Sequence, residues 1–560
     1  MNEQVQTSLK SERDSFLGMF RLDHAWLIIA LTIHILYHVA FQYDRSFWRD
    51  EAHAWNLSSA TTGEFLRLFA FVEHQTSYLV FLRFIYLLGG TIGTAALFSM
   101  VCAIGGAFCI YLVITRYIHL PGNKTLALNA ATLSLLAHPL LHYSSHVIRP
   151  YSFAFLLQTL VCLLAFKAYA NFRRSTIILL FFIILLSVNA QPVNLVAAYG
   201  VAATWGLACL IDTRRNRVNL HDWRLVLLKL FSVPIMTIAC SVPMLIQSTR
   251  FSRAMKGVEP ASEIGSLSIN VFMKLIWQPV QGVATPIYDL YMFAFRHDPY
   301  INLIKLTQTP ATLILLFIML AITGILCWRL IFRDRRFKRL LPVVFYFAVT
   351  TAGLSLASIF HIRMIEVLRS FSALGPSAIC LSVWLIYQLR AWHHIVIFVI
   401  VMNAVVGFPS FSERRPGDIS DARSVAEKIM DEELASDLIL LANAQLGPSF
   451  ALHYHGNLDQ VCHPYGGSVP YWDMVELSRL ADQPQRIEAT LELIENARRN
   501  NRRVWFITSG SPAPEPERFW YSPNSLITIE NKLTESFDNL HHQTHRSRLE
   551  PMDVTLYAPR

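Results

Sequence analysis

Apolar runs close to the length of a bilayer-crossing helix recur along this chain, separated by short loops. A spanning helix needs about 20 predominantly apolar residues. In lipid every backbone polar group must be paired, so a chain built of such runs folds as a helical bundle. The runs lie near 24–41, 94–115, 125–142, 152–170, 175–190, 192–211, 226–246, 306–328, 340–358, 370–389 and 392–409. They predict a polytopic α-helical membrane protein with about eleven transmembrane helices. The shorter run from Tyr78 to Leu88 predicts a helix lying in the interface. Only 16% of residues are charged, against about a quarter in soluble domains, and the mean hydropathy is +0.38. Lipid, not water, is therefore the solvent of much of the chain.

The net charge of +9 invites a nucleic-acid reading, but its distribution argues for topology instead, and no nucleic-acid partner is expected. Arg116 and Lys124; Lys167, Arg173 and Arg174; Arg214, Arg215, Arg217 and Arg224; Arg329 through Arg339; and Arg390 all fall in loops on one side of the span list, with Lys10, Arg13 and Arg21. By the positive-inside rule that side is the cytoplasm. It holds the N-terminus, residues 1–23, and the membrane module covers 24–409. The other side receives the segments 42–93 and 247–305 and the tail 410–560. The stretch 247–268, polar with Gly and Ser, reads as a mobile lid. The 8 cysteines show no disulfide framework or CxxC pair.

The tail reads as a small α/β domain. Asp421 is placed to cap a helix reaching about Leu434, followed by a strand over 437–441, a helix over 487–499, and strands over 503–508 and 553–558.

Acidic and cationic residues gather on the side away from the cytoplasm. Asp50 and Glu51 follow the first span among Phe47, Trp48 and Trp55. Such a pair can take a proton from a nucleophile or hold a divalent cation. The same residues also make an aromatic belt with solvated charges. His74, just before the interfacial run, offers a metal ligand, a hydrogen-bond donor, or neither. Arg149, in Val147-Ile148-Arg149-Pro150-Tyr151, and Arg369, entering a late span, offer guanidinium forks to a phosphate or serve as snorkelling anchors. Arg250, Arg253 and Lys256 add cations to the lid stretch. Acids and cations together suit a lipid-linked phosphosugar, whose phosphate leaves as an anion and whose attacking hydroxyl needs a base.

The order of these motifs resembles the GT-C class of membrane glycosyltransferases, in particular the bacterial relatives of protein O-mannosyltransferases and the aminoarabinose transferase of lipid A. Arg49-Asp50-Glu51-Ala52 looks like the acidic motif of that family's first outer loop. His74-Gln75-Thr76-Ser77-Tyr78 looks like its His-Pro-Pro-Leu-Tyr motif, without the proline pair. Arg149-Pro150-Tyr151 matches an Arg-Pro-Tyr motif. Arg369-Ser370-Phe371 looks like an Arg-Tyr-Leu entry, with Ser370 in place of the Tyr. Asn189-Ala190-Gln191 stands where a His-Tyr pair is often found. The tail, with Asp421 to Ala426 and then Asp437-Leu438-Ile439-Leu440, is similar to the outer domain of bacterial members.

The resemblance implies a GT-C-like fold in the bacterial inner membrane, with the C-terminal α/β domain outside the cytoplasm. It implies an undecaprenyl- or dolichyl-phosphate sugar donor and inverting transfer to an envelope glycolipid, polysaccharide or protein. It gives Asp50 the role of base with Glu51 second, Arg149, Tyr151 and Arg369 to the donor phosphate, and His74 to the acceptor or a metal. A required metal is not implied. A multi-span transporter or lipid flippase is the competing reading. It suits the many spans but not the lack of a sequence repeat or the placement of the charges at the membrane boundary.

Overall fold

The computed structural model describes residues 24–40, 46–47, 49–69, 75–118, 123–136, 145–216, 223–254, 341–359, 420–471, 483–509, 523–544 and 552–560, with Leu480 and positions between 373 and 384. Arg369, His74, Trp48 and the spans read over 306–328 and 392–409 lie outside the described residues, as does the lid stretch beyond Ala254.

In chain order the first helices are α1 (His24–Ala40), α2 (Arg49–Ser59), α3 (Thr62–Phe69), α4 (Thr76–Leu87), α5 (Ile92–Tyr117) and α6 (Asn123–Leu136). Next come α7 (Tyr151–Ala170), α8 (Arg174–Ala190), α9 (Val193–Asn216), α10 (Trp223–Ala254) and α11 (Leu341–Ile359). The tail adds α12 (Ala422–Glu432), β1 (Leu438–Leu441), α13 (Gly447–His453) and β2 (Asp459–Cys462). It closes with α14 (Pro484–Arg499), β3 (Val504–Ser509), α15 (Pro523–Ser536), β4 (Phe537–Thr544) and β5 (Met552–Pro559). The described residues fall into two compact units. One draws on Met1–Val39, Ala96–Met244 and Ser266–Ser410, the other on Ala40–Ala95, Leu245–Gly265 and Phe411–Arg560.

The first unit is a helical bundle. Among its described helices α5, α7, α9 over Val193–Thr213, and α10 over Val226–Ile246 are long and apolar enough to cross a membrane. Its interior joins Val161, Leu164, Leu180, Ile184, Val188, Ala197, Trp205, Val233 and Tyr346. Helices α9 and α11 approach closely because glycine faces the partner on both. A Cβ on Gly200 would collide with Thr350, and one on Gly353 would meet Val196 Cγ1 at 2.6 Å. A polar seam crosses the bundle: Ser187 Oγ donates to Gln158 Oε1 at 3.2 Å, Gln158 Nε2 to Tyr346 Oη at 3.1 Å, and Asn194 Nδ2 to Ser187 Oγ at 3.0 Å. Outward, Ile178, Leu179 and Phe182 on α8 and Leu228, Phe231, Ile235 and Ile238 on α10 are exposed. Exposed large apolar side chains on helices of this length suit a lipid-facing surface. Helix α10 runs to Ala254, so the start of the stretch read as a lid is helical. No glycine occurs between Val226 and Gly257 to stop it.

The second unit contains a five-stranded sheet in the order β2-β1-β3-β5-β4, parallel through β2, β1 and β3 and antiparallel at β5 and β4. Alternate strand residues serve opposite faces. Ile439, Leu441, Trp505, Ile507 and Val554 pack with α12 and α13, while Leu438, Leu440, Val504 and Phe506 pack with α14 and α15. Asp421 takes the N-cap position of α12 with a helical backbone (φ −88°, ψ 0°) but makes no side-chain capping bond, and its Oδ2 accepts from Met552 N at 3.2 Å. Ser420 Oγ accepts from Ala422 N at 3.2 Å.

Candidate active site

The acidic motif lies on a helix, not in an open loop. Asp50 and Glu51 occupy the first turn of α2, where acidic side chains complement the positive end of the helix dipole. Consecutive residues on a helix point about 100° apart, and burial separates the two acids. Glu51 is fully buried, with Ala52, Ala54 and Leu57, whereas Asp50 is half-buried. His53, one turn on from Asp50, is also half-buried.

Helix α2 is fixed along its length. Trp55 meets Tyr86 of α4 edge-on, with ring centroids 6.1 Å apart. Arg83 of α4 binds the far end: Nη1 donates to Ser58 O at 2.8 Å and to Ala60 O, and Nη2 donates to Thr62 Oγ1 at 3.1 Å. Its guanidinium lies 5.5 Å from the ring centroids of both Phe65 and Tyr86. A cation on the last carbonyls satisfies orphan acceptors and opposes the negative end of the dipole. Arg83→Met is expected to cost about 2 kcal/mol locally. The amides of α2's last turn should then exchange roughly thirty-fold faster by hydrogen–deuterium mass spectrometry. An unchanged rate would remove Arg83 from this role.

Residues of the tail hold the chain just before α2 and, through Asn56, its second half. His453 Nε2 accepts from Phe47 N at 3.3 Å and lies 3.4 Å from Ser46 Oγ, and its ring stacks on Phe47 at 6.3 Å. Asn56 Nδ2 donates to Pro448 O at 3.1 Å and to Pro470 O at 2.8 Å. Burial, reinforced by Arg423 and His455 and opposed by Glu427, pushes the His453 imidazole down to about 4. The ring is therefore neutral at physiological pH and free to accept. Nothing local in the sequence marks His453 or Asn56, because the partners are about 400 positions apart.

Arg149 and Tyr151 lie in the other unit, at the N-terminal end of α7. Arg149 is half-buried, its Nη2 lies 3.4 Å from Tyr151 Oη, and its guanidinium carbon lies 5.6 Å from the Tyr151 ring centroid. A cation on a rigid ring at a helix N-terminus suits an anion. Three buried imidazoles precede it. His38 Nδ1 is 3.3 Å from His146 Nδ1, and the His34 ring centroid is 5.1 Å from that of His146. Sequence reading missed them, although His34 and His38 stand four residues apart within an apolar run, a spacing that puts both on one helix face. Among the described residues no group of three or more His, Cys, Asp or Glu is arranged to hold a metal ion.

No family model and no curated protein matches the chain. Similar solved structures include ArnT from Cupriavidus metallidurans bound to undecaprenyl phosphate, at 15% identity over 95% of this chain and 98% of that one, TM-score 0.42. Another is the oligosaccharyltransferase AglB from Archaeoglobus fulgidus in complex with an inhibitory peptide and a dolichol-phosphate, at 13% identity over 96% and 74%, TM-score 0.43. The apo form of the A. fulgidus enzyme gives 11% identity over 93% and 73%, TM-score 0.45.

Proposed function

We propose that the chain is an integral membrane glycosyltransferase that moves a sugar from a polyprenyl-phosphate-linked donor to an extracytoplasmic acceptor, a glycolipid, polysaccharide or protein, with inversion at the anomeric carbon. The observation that carries this reading is the division of labour within the acidic pair: Glu51 is wholly buried and Asp50 half-buried in the first turn of a helix held just before its start and at its far end. A base must combine access with a fixed position.

In this reading the acceptor oxygen attacks the anomeric carbon and Asp50 takes its proton. The bond from that carbon to the phosphate oxygen breaks, and polyprenyl phosphate departs with the electron pair. The departing group is already an anion, so it needs cations and no acid. Arg149, braced by Tyr151, supplies one cation, and Arg369 is proposed as a second on sequence grounds. His74 is proposed to touch the acceptor or a metal. The cell location proposed is the bacterial inner membrane, with the N-terminus cytoplasmic and the tail outside.

The test is transfer of radiolabelled sugar from polyprenyl-phosphate donors by the purified protein in nanodiscs, with a crude envelope fraction as acceptor. Labelled product is the expected result. No product from folded protein across a broad donor panel would refute the proposal. Within the same assay Arg149→Lys is expected to raise the donor KM about ten-fold, because a point charge cannot reproduce the guanidinium fork. An unchanged donor KM and kcat would leave Arg149 as a membrane anchor.

A further inference from the structure

The tail touches the acidic helix on both sides of Asp50. Upstream, Phe47 N and Ser46 Oγ meet His453 Nε2. Downstream, Asn56 gives its amide group to two carbonyls, Pro448 O at the start of α13 and Pro470 O in the loop beyond β2. Farther on, the Tyr471 hydroxyl bonds Glu64 of α3. Glu64 also completes a capping box with Thr61, accepting from Thr61 Oγ1 at 2.7 Å and from Thr61 N at 3.2 Å.

These contacts come from a rigid part of the tail. Phe450 of α13 is fully buried against the sheet, together with Leu446 and Tyr454. Gly447 lets α13 sit directly on the chain after β2, since a Cβ there would stand 2.6 Å from Val469 O. The tail therefore presents one acceptor nitrogen and two carbonyls in fixed positions, and α2 is laid across them.

From this we infer that the tail is the positioning element for the proposed base, with His453 and Asn56 as positioning residues that set where Asp50 stands. The inference rests on the reading of Asp50 as the base. It gives the tail a task separate from acceptor binding. It also explains why His453 sits where burial keeps it neutral, since a protonated ring could not accept from Phe47 N–H.

The experiment uses the full chain in nanodiscs and two readouts. Hydrogen–deuterium exchange follows residues 46–59, with α14 as internal reference, and steady-state kinetics follow transfer. His453→Leu is expected to quicken exchange across 46–59 at least ten-fold with α14 unchanged. It should lower kcat ten-fold or more and leave the donor KM within about two-fold, because a misplacement of about 1 Å can cost on the order of a hundred-fold in rate. His453→Gln, whose amide oxygen can stand in for Nε2, should restore both to within about three-fold. Asn56→Ala should behave like His453→Leu, and it serves alone if that variant does not fold. Unchanged exchange across 46–59, or loosened exchange with kcat intact, overturns the inference. Loosened exchange in a protein that transfers no sugar from any donor, wild type included, refutes the glycosyltransferase reading while leaving the mechanical role of the tail in place.

Discussion

Asp50→Asn is expected to lower sugar transfer by about 10²–10⁴-fold, the usual contribution of a positioned general base, while insertion and folding stay intact. The substitution preserves size and one carbonyl oxygen and removes the negative charge and, with it, the capacity to take the proton. Asp50 is half-buried, so little packing depends on it, and a folded, inactive protein is the outcome that assigns the role. Glu51→Gln is the informative comparison. Glu51 is fully buried, and a change in a buried acid disturbs its surroundings first, so this variant should lose stability and activity together. Initial rates on a defined donor, set beside thermal unfolding, separate the two. A well-folded Asp50→Asn protein with more than half of wild-type turnover would disprove the assignment. Loss of rate confined to Glu51→Gln would reverse the roles.

What the sequence made legible follows from where the forces are local. Helices α5, α7, α8 and α9 fall within a few residues of the expected runs except at the C-terminal end of α9, because a segment in lipid must be apolar along its whole length. Strands β1, β3 and β5 were readable for a similar reason: they are flanked on both sides and carry Leu, Ile, Val and Phe. Strands β2 and β4 were not. They are the edges of the sheet, where one flank meets solvent and polar residues suffice, as in Phe537 to Thr544 with its irregularity between Asn539 and His541. Helix α2 was missed for a different reason. Its polar sequence, with Asp50, Glu51, His53 and Asn56, has no lipid or amphipathic signal, and its burial comes from α4 and α13, elements distant in sequence. The acidic pair could thus be named as a candidate from its residue types, while the helix that holds it could not be read. The same limit applies to His453, which becomes a partner of the motif only once the tail has folded.

The tail's own integrity turns on a buried charge. Asp437, the first residue of a stretch recognisable in the sequence, is fully buried, and Arg503 grips it with a fork: Nη2 to Oδ2 at 2.6 Å and Nε to Oδ1 at 3.0 Å. Oδ2 also accepts from Trp505 Nε1 at 3.1 Å and from Leu434 N at 3.0 Å, and Arg503 Nη2 reaches Glu432 O at 2.8 Å. The carboxylate beside it raises the Arg503 pKa above its ordinary value. The pair therefore ties the end of α12, the start of β1 and the start of β3 together at one point. Arg503→Met leaves the carboxylate buried without its counter-charge, a loss of about 3–5 kcal/mol. That is a large part of the roughly 5–15 kcal/mol by which domains are stable. Amides of β1 and β3 should exchange on the order of 10²–10³-fold faster than in the wild type. The double variant Asp437→Asn, Arg503→Met should recover part of the loss, since no uncompensated charge then remains. A loss under about 1 kcal/mol in the single variant would mean that water reaches Asp437 and that the hydrogen bonds from Trp505 and Leu434, not the ion pair, hold this corner of the domain.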